Sequence, residues 1–288
     1  MLLQNPNELS QSPFNTTLSR AAAPMQEPTP GPTGSGRTEN HGTTSYLYDT
    51  FLSPFYDRLT RQLWPEWLHP NYITLLGAVF CASAILAFGN NNKTWPCIGW
   101  TLYHMCDNMD GKQARRTNQT SRFGGFLDHA VDGLLGVYMG YIAVAAVVFD
   151  VRSGSALFHT GRHCFCLLWL TPHILCKLNP SQGLILGTKA CSVDEGFLGV
   201  SALLFYHGWV SEESLFPHFE NVARFVCHAI AATAIGAVMH GFSVSNHSAK
   251  RSWAALFFLL AVVGYATRES EKLWWALWVP CMMLSVAH

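Results

Sequence analysis

The stretch from Asp107 to Asp132, DNMDGKQARRTNQTSRFGGFLDHAVD, decides how the rest of the chain is read. It carries Asp107, Asp110, Asp128 and Asp132 in a chain in which only 12% of residues are charged. Asp107 and Asp110 are three residues apart, so on a helix they lie roughly 60° from one another and aim at one point. Asp128 and Asp132 are four apart, roughly 40° around a helix, and again share a face. Two helices that each present such a pair can close on a hard divalent cation, which prefers oxygen ligands. Gly111 and Gly124 add no side chain beside the acids and leave room for a ligand or a facing helix. Arg115, with Lys112, Arg116 and Arg122 nearby, supplies positive charge for a phosphate, and a guanidinium suits bidentate contact.

Asp107, Asp110, Gly111, Ala114, Arg115, Gly124, Asp128 and Asp132 fill every fixed position of D-x2-D-G-x2-A-R-x8-G-x3-D-x3-D. This pattern resembles the signature of the CDP-alcohol phosphotransferases. The resemblance implies a metal site formed by Asp107, Asp110, Asp128 and Asp132, and a CDP and phosphate site that includes Gly111, Ala114, Arg115 and Gly124. Pro70-Asn-Tyr-Ile-Thr-Leu-Leu-Gly77 is similar to the entry of the family's first transmembrane helix, which implies that Asn71 helps to hold the nucleotide. Read on its own, Asn71 serves equally well as a helix cap.

The chemistry follows from what such acids hold. A CDP-alcohol is a pyrophosphate diester whose negative charge repels an incoming hydroxyl. One or two Mg2+ or Mn2+ ions screen that charge and stabilise the departing CMP. A base must also take the proton of the acceptor alcohol. His129 and Asp132 are the candidates, and His129 is preferred because a carboxylate bound to metal is a poor base. On a helix His129 points about 100° away from Asp128, so it is expected to flank the metal rather than bind it.

Asp110-Gly-Lys-Gln-Ala-Arg-Arg-Thr-Asn118, Asp128-His129 and the leader Leu47-Tyr-Asp-Thr-Phe-Leu-Ser-Pro-Phe55 closely resemble the choline/ethanolamine branch of the family. That branch implies transfer of phosphoethanolamine or phosphocholine from CDP-ethanolamine or CDP-choline to diacylglycerol, in the endoplasmic reticulum or Golgi membrane. It is also compatible with a homodimer. Asn118-Gln-Thr-Ser-Arg-Phe-Gly124 with Leu127-Asp128 instead looks like phosphatidylinositol synthases, which act on CDP-diacylglycerol. A non-catalytic relative is expected to have lost one of the acids, and a transporter does not require this spacing.

Composition places the site in a membrane. Hydrophobic residues make up 49% of the 288, with ten Trp and eighteen Phe, whereas a soluble domain carries about 25% charged residues. The formal net charge of zero offers nothing to a nucleic acid. Nine cysteines, with no C-x-x-C pair, read as apolar packing. Residues 1–44, rich in Ser, Thr, Pro, Asn and Gly, read as a disordered tail. Residues 45–288 form the membrane domain, and because choline/ethanolamine members continue further, a last helix is expected to be missing.

That domain is expected to be an all-α polytopic bundle of about seven to nine transmembrane helices. An interfacial amphipathic helix precedes it, with Tyr48, Phe51, Leu52, Phe55, Tyr56, Leu59 and Leu63 as the apolar stripe. Spans are placed at 71–89, from Trp95, at 125–149, 156–176, 183–211, 222–244, 252–267 and 272–288. Gly136 and Gly140 form a G-x-x-x-G pair suited to close packing. Lys112, Arg115, Arg116 and Arg122 fall in a loop between the acid pairs, and their charge turns the active site toward the cytosol. The stretch Val193-Asp194-Glu195 reads either as carrying a solvated loop acid or as carrying a membrane-edge acid that assists catalysis.

Overall fold

Pro70 opens the first long helix because the preceding His69 is extended and its side chain accepts from the Asn71 backbone N–H, while proline at the first position has no donor to leave unsatisfied. Asn71 is therefore inside the helix and not its cap. The computed structural model describes residues 45–151, 154–179, 192–211, 215, 220–244, 248–268 and 270–286; the tail 1–44 and residues 183–191 of an expected span lie outside them. The described residues contain helices and no strand. Among the described residues nine α-helices follow one another: α1 (Ser53–Leu63), α2 (Pro70–Gly89), α3 (Trp95–Arg116), α4 (Arg122–Val148), α5 (Ala156–Leu178), α6 (Val193–Phe205), α7 (Glu220–Val244), α8 (Ser248–Ala266) and α9 (Glu271–Val286). Helix α4 contains two π-helical turns, Asp132–Gly136 and Val144–Val148.

Three stretches among the described residues, Pro70–Gly89, Arg122–Val148 and Asn221–Ser243, are long and apolar enough to cross a membrane. Tyr72, Leu75, Val79 and Leu86 of α2 are exposed, as a lipid-facing surface would be. The chain is an all-α membrane protein. Helix α3 differs from expectation at its end. It runs on through Arg116, so Lys112, Arg115 and Arg116 stand on its last turns and the connection to α4 is short. The stop comes at Asn118, which is left-handed (φ 56°) while the Gln119 N–H returns to the Ala114 carbonyl; asparagine tolerates that conformation better than most residues.

Helices α2 and α3 pack along their length because Gly77 faces Cys106 and Gly99 faces Ala84; a Cβ on either glycine would lie 3.0 Å from its neighbour. The amphipathic stripe before α2 splits in two. Leu52, Tyr56 and Leu59 pack with Ile73, Cys106 and Met109, whereas Phe51, Phe55 and Leu63 remain exposed on the other side. A second core joins α5, α7, α8 and α9 around Leu170, Phe257, Trp274 and Trp278. The described cysteines are free thiols.

Candidate active site

The glycines near the acids set the distances in the site. Gly136, one turn below Asp132, is covered by the Tyr103 ring of α3, whose hydroxyl would be 2.5 Å from a Cβ there. That hydroxyl donates to Asp132 Oδ1 at 2.6 Å. Gly133 is covered in the same way by the Trp169 indole of α5. Gly140 meets only Val200, at 3.8 Å, so close approach on α4 runs through Gly133 and Gly136 and not through the expected Gly136–Gly140 pair.

The acids converge unequally. One oxygen each of Asp128 and Asp132 and one ring nitrogen of His129 lie within 4.8 Å of one another. Asp107 is within hydrogen-bonding reach of both Asp128 and Asp132. Asp110 is buried and turned toward α2, where the Thr74 hydroxyl donates to it. Asp128 Oδ1 and His129 Nδ1 are buried and make no hydrogen bond among the described residues. Orphaned carboxylate oxygen crowded by other carboxylates fits a hard divalent cation. His129 is drawn closer to the ligand set than its helical offset from Asp128 implies.

On the α2 side lies a cavity of about 190 Å3, lined by Asn71, Gly111, Ala114, Arg115 and Gly124 with Asp110 and Asp128 at its acidic wall. Asn71 Oδ1 would be 3.1 Å from a Cβ on Gly124, and the Arg115 guanidinium 3.4 Å from one on Gly111. Ser121 caps α4 by accepting from the Gly124 N–H, which sets that glycine at the cavity edge. The other cations do different work. Lys112 Nζ donates to Ser53 Oγ at 2.8 Å. Arg116 donates to the Trp64 carbonyl at 2.6 Å. Both fasten α1 and the 64–69 segment to α3, and only Arg115 of the group lines the cavity.

A second, apolar cavity of about 610 Å3 lies between α3, α4, α5 and α6, with Trp100, Gly136, Phe165, Trp169 and Phe197 in its wall. The chain spacing offered no sign of Thr74, Tyr103 or His104 as site residues. His104 is buried, and its Nε2 stands 3.6 Å from Asp194 Oδ1. Burial pushes the Tyr48 hydroxyl up to about 12, with the charges of Asp194 and Asp107 adding to it against Arg115. Burial and then the same two acids raise Tyr56 to about 12 as well. Asp194 stands in the first turn of α6 and is half-buried, so it is not a loop acid.

Residues 67–180 match the family model described as CDP-alcohol phosphatidyltransferase. The Arabidopsis thaliana protein named choline/ethanolaminephosphotransferase 2 is 40% identical over 101 residues, 31% of this chain and 26% of that protein. Cholinephosphotransferase 1 of Gallus gallus is 35% identical over 133 residues, 41% of this chain and 39% of its own length. Cholinephosphotransferase 1 of Mus musculus is 35% identical over 151 residues, 47% of this chain and 38% of its own. The chain thus spans between a quarter and two-fifths of the length of these relatives. The matched segment contains both acid pairs, His129 and the residues that line the cavity against α2, and over that segment the chain is similar to the CDP-alcohol phosphatidyltransferase family.

Proposed function

We propose that this chain transfers a phospho-alcohol head group, phosphoethanolamine or phosphocholine, from its CDP ester to diacylglycerol and releases CMP. The observation that carries the reading is that Asn71, Gly111, Ala114, Arg115 and Gly124 line one cavity walled by Asp110 and Asp128. A Mg2+ or Mn2+ ion held by Asp107, Asp110, Asp128 and Asp132 would neutralise the pyrophosphate and stabilise the departing CMP. Gly111 and Gly124 leave space for the nucleotide, and Arg115 steadies a phosphate. His129 accepts the acceptor's proton, with Asp132 held in place by Tyr103. The apolar cavity beside Gly136 and Phe197 suits acyl chains, which keeps the lipid hydroxyl near the acids. The basic end of α3 is taken to face the cytosol, where CDP-alcohols are available.

A second reading, transfer from CDP-diacylglycerol to inositol, draws on Ser121-Arg-Phe-Gly124 at the start of α4. Offering CDP-ethanolamine, CDP-choline, and CDP-diacylglycerol with inositol in turn to membranes containing the protein separates the two. Product from either of the first pair with diacylglycerol and Mg2+ is expected. Asp107→Asn should abolish that product while the protein still purifies folded. Near-normal activity of the variant in the presence of chelator would remove the metal assignment.

A further inference from the structure

Asp194 is an acid near the site for which the nucleotide and metal assignments have no use. It lies in the first turn of α6, where the helix terminus favours negative charge. Its Oδ2 accepts from the Ser192 hydroxyl at 3.4 Å, a long contact, and its Oδ1 lies 3.6 Å from His104 Nε2. A carboxylate has about four lone-pair sites, so these two distant partners leave most of its capacity unused. His104 is 1% exposed, and its Nε2 makes no hydrogen bond among the described residues. The nearby Lys112 is committed to Ser53. Two polar groups thus face one another across a gap slightly too wide for a hydrogen bond, at the edge of a site already rich in negative charge.

The position matters as much as the charge. The nucleotide-side cavity lies against α2, while Asp194 meets α3 from α6. Asp107 and Asp132 stand on the helices between them. A CDP-alcohol with its nucleotide in the first place and its phosphates at the acids carries its alcohol onward, away from α2. In the first turn of α6, Val193 and Phe197 on either side of Asp194 wall the apolar cavity.

Building on the function proposed above, we propose that Asp194, backed by His104, receives the ammonium group of the alcohol, and that it favours a primary ammonium over a quaternary one. A primary ammonium donates hydrogen bonds, and acceptors are what the site offers. A quaternary ammonium needs open aromatic faces. The rings here are spent on one another: Tyr56 and Phe197 pack edge-on against His104, with centroids 5.9 and 5.3 Å away, and Trp100 packs on Phe197 at 5.0 Å.

Calorimetric binding to the purified full-length protein in Mg2+ tests this with CDP-ethanolamine, CDP-choline and CMP as probes. Wild type is expected to bind CDP-ethanolamine more tightly than CDP-choline. Asp194→Asn should lose about tenfold or more in CDP-ethanolamine affinity, as a charged hydrogen bond does, and keep its CMP affinity. Ser192→Ala, which weakens the helix cap and leaves Asp194 in place, should keep both. Equal CDP-ethanolamine affinity in Asp194→Asn and wild type overturns the proposal, as does a matching loss of CMP affinity, which marks Asp194 as structural. Tighter binding of CDP-choline by wild type overturns the preference for a primary amine. Wild type that binds none of the three probes overturns the parent function instead, before any variant is compared.

Discussion

His129 is held between two acids, and its Nδ1 is buried without a hydrogen bond among the described residues. The His173 ring of α5 stands edge-on to it, 5.6 Å away, and is itself fixed by Nδ1 on the Trp169 carbonyl at 3.0 Å. A base in reach of the acceptor hydroxyl is worth about 10²–10⁴ in rate. His129→Ala is expected to lower turnover at least about tenfold, a floor below that range, with CDP-alcohol affinity unchanged. Steady-state kinetics across Mg2+ concentrations check it. A raised metal requirement with little loss at saturation would make His129 a ligand. At this scale the sequence was informative wherever a residue's partner lies within one helical turn. The acid pairs, Gly111, Gly124 and Arg115 were all legible from spacing. Thr74 on Asp110, Tyr103 on Asp132 and His104 beside Asp194 were not. The first and last are contacts between different helices, and even Tyr103 meets Asp132 only because α3 and α4 fold together.

Helix α4 shows how an element serves its site. The π-helical turn Asp132–Gly136 begins on the last acid, and such turns recur at functional sites because they re-aim side chains. Gly133 and Gly136 then admit Trp169 and Tyr103 against the backbone. Gly136→Ala would set a methyl 2.5 Å from the Tyr103 hydroxyl and force that ring aside. Overpacking of this kind costs about 1–3 kcal/mol, and here it also removes the donor to Asp132. Lower thermal stability together with at least a several-fold loss of activity is expected; Gly140→Ala, with Val200 3.8 Å away, serves as the mild control. Melting curves and transfer assays on the two proteins decide the matter. Helical periodicity placed these elements well but misjudged their ends. Asn71 read as a cap because nothing local distinguishes it from His69, and α3 ran past its basic cluster because Lys112 and Arg116 have partners in α1 and the 64–69 segment.

For the molecule as a whole, the basic end of α3 and the nucleotide-side cavity share one face. A cysteine at Thr117, just past α3, should react with an impermeant thiol reagent from the cytosolic side of sealed vesicles and stay unlabelled from the lumen. Luminal labelling would reverse the orientation. The opposite region of the bundle is held by Arg162, 1% exposed, which pairs with Glu271 at 3.2 Å and stacks on Trp274 at 4.1 Å, joining α5 to α9. Near the site the corresponding closure is Glu195, which accepts from both Ser192 and Ser45, the latter 150 residues earlier in the chain. A ribosome adding roughly 5–20 residues per second delivers Ser45 about 8–30 s before Glu195. All four acids are synthesised within that interval, together with α2 and the nucleotide-side cavity, while α6 has yet to emerge. The contact that ties the start of the described chain to α6 is therefore among the late ones to become available, after every acid of the site has been made.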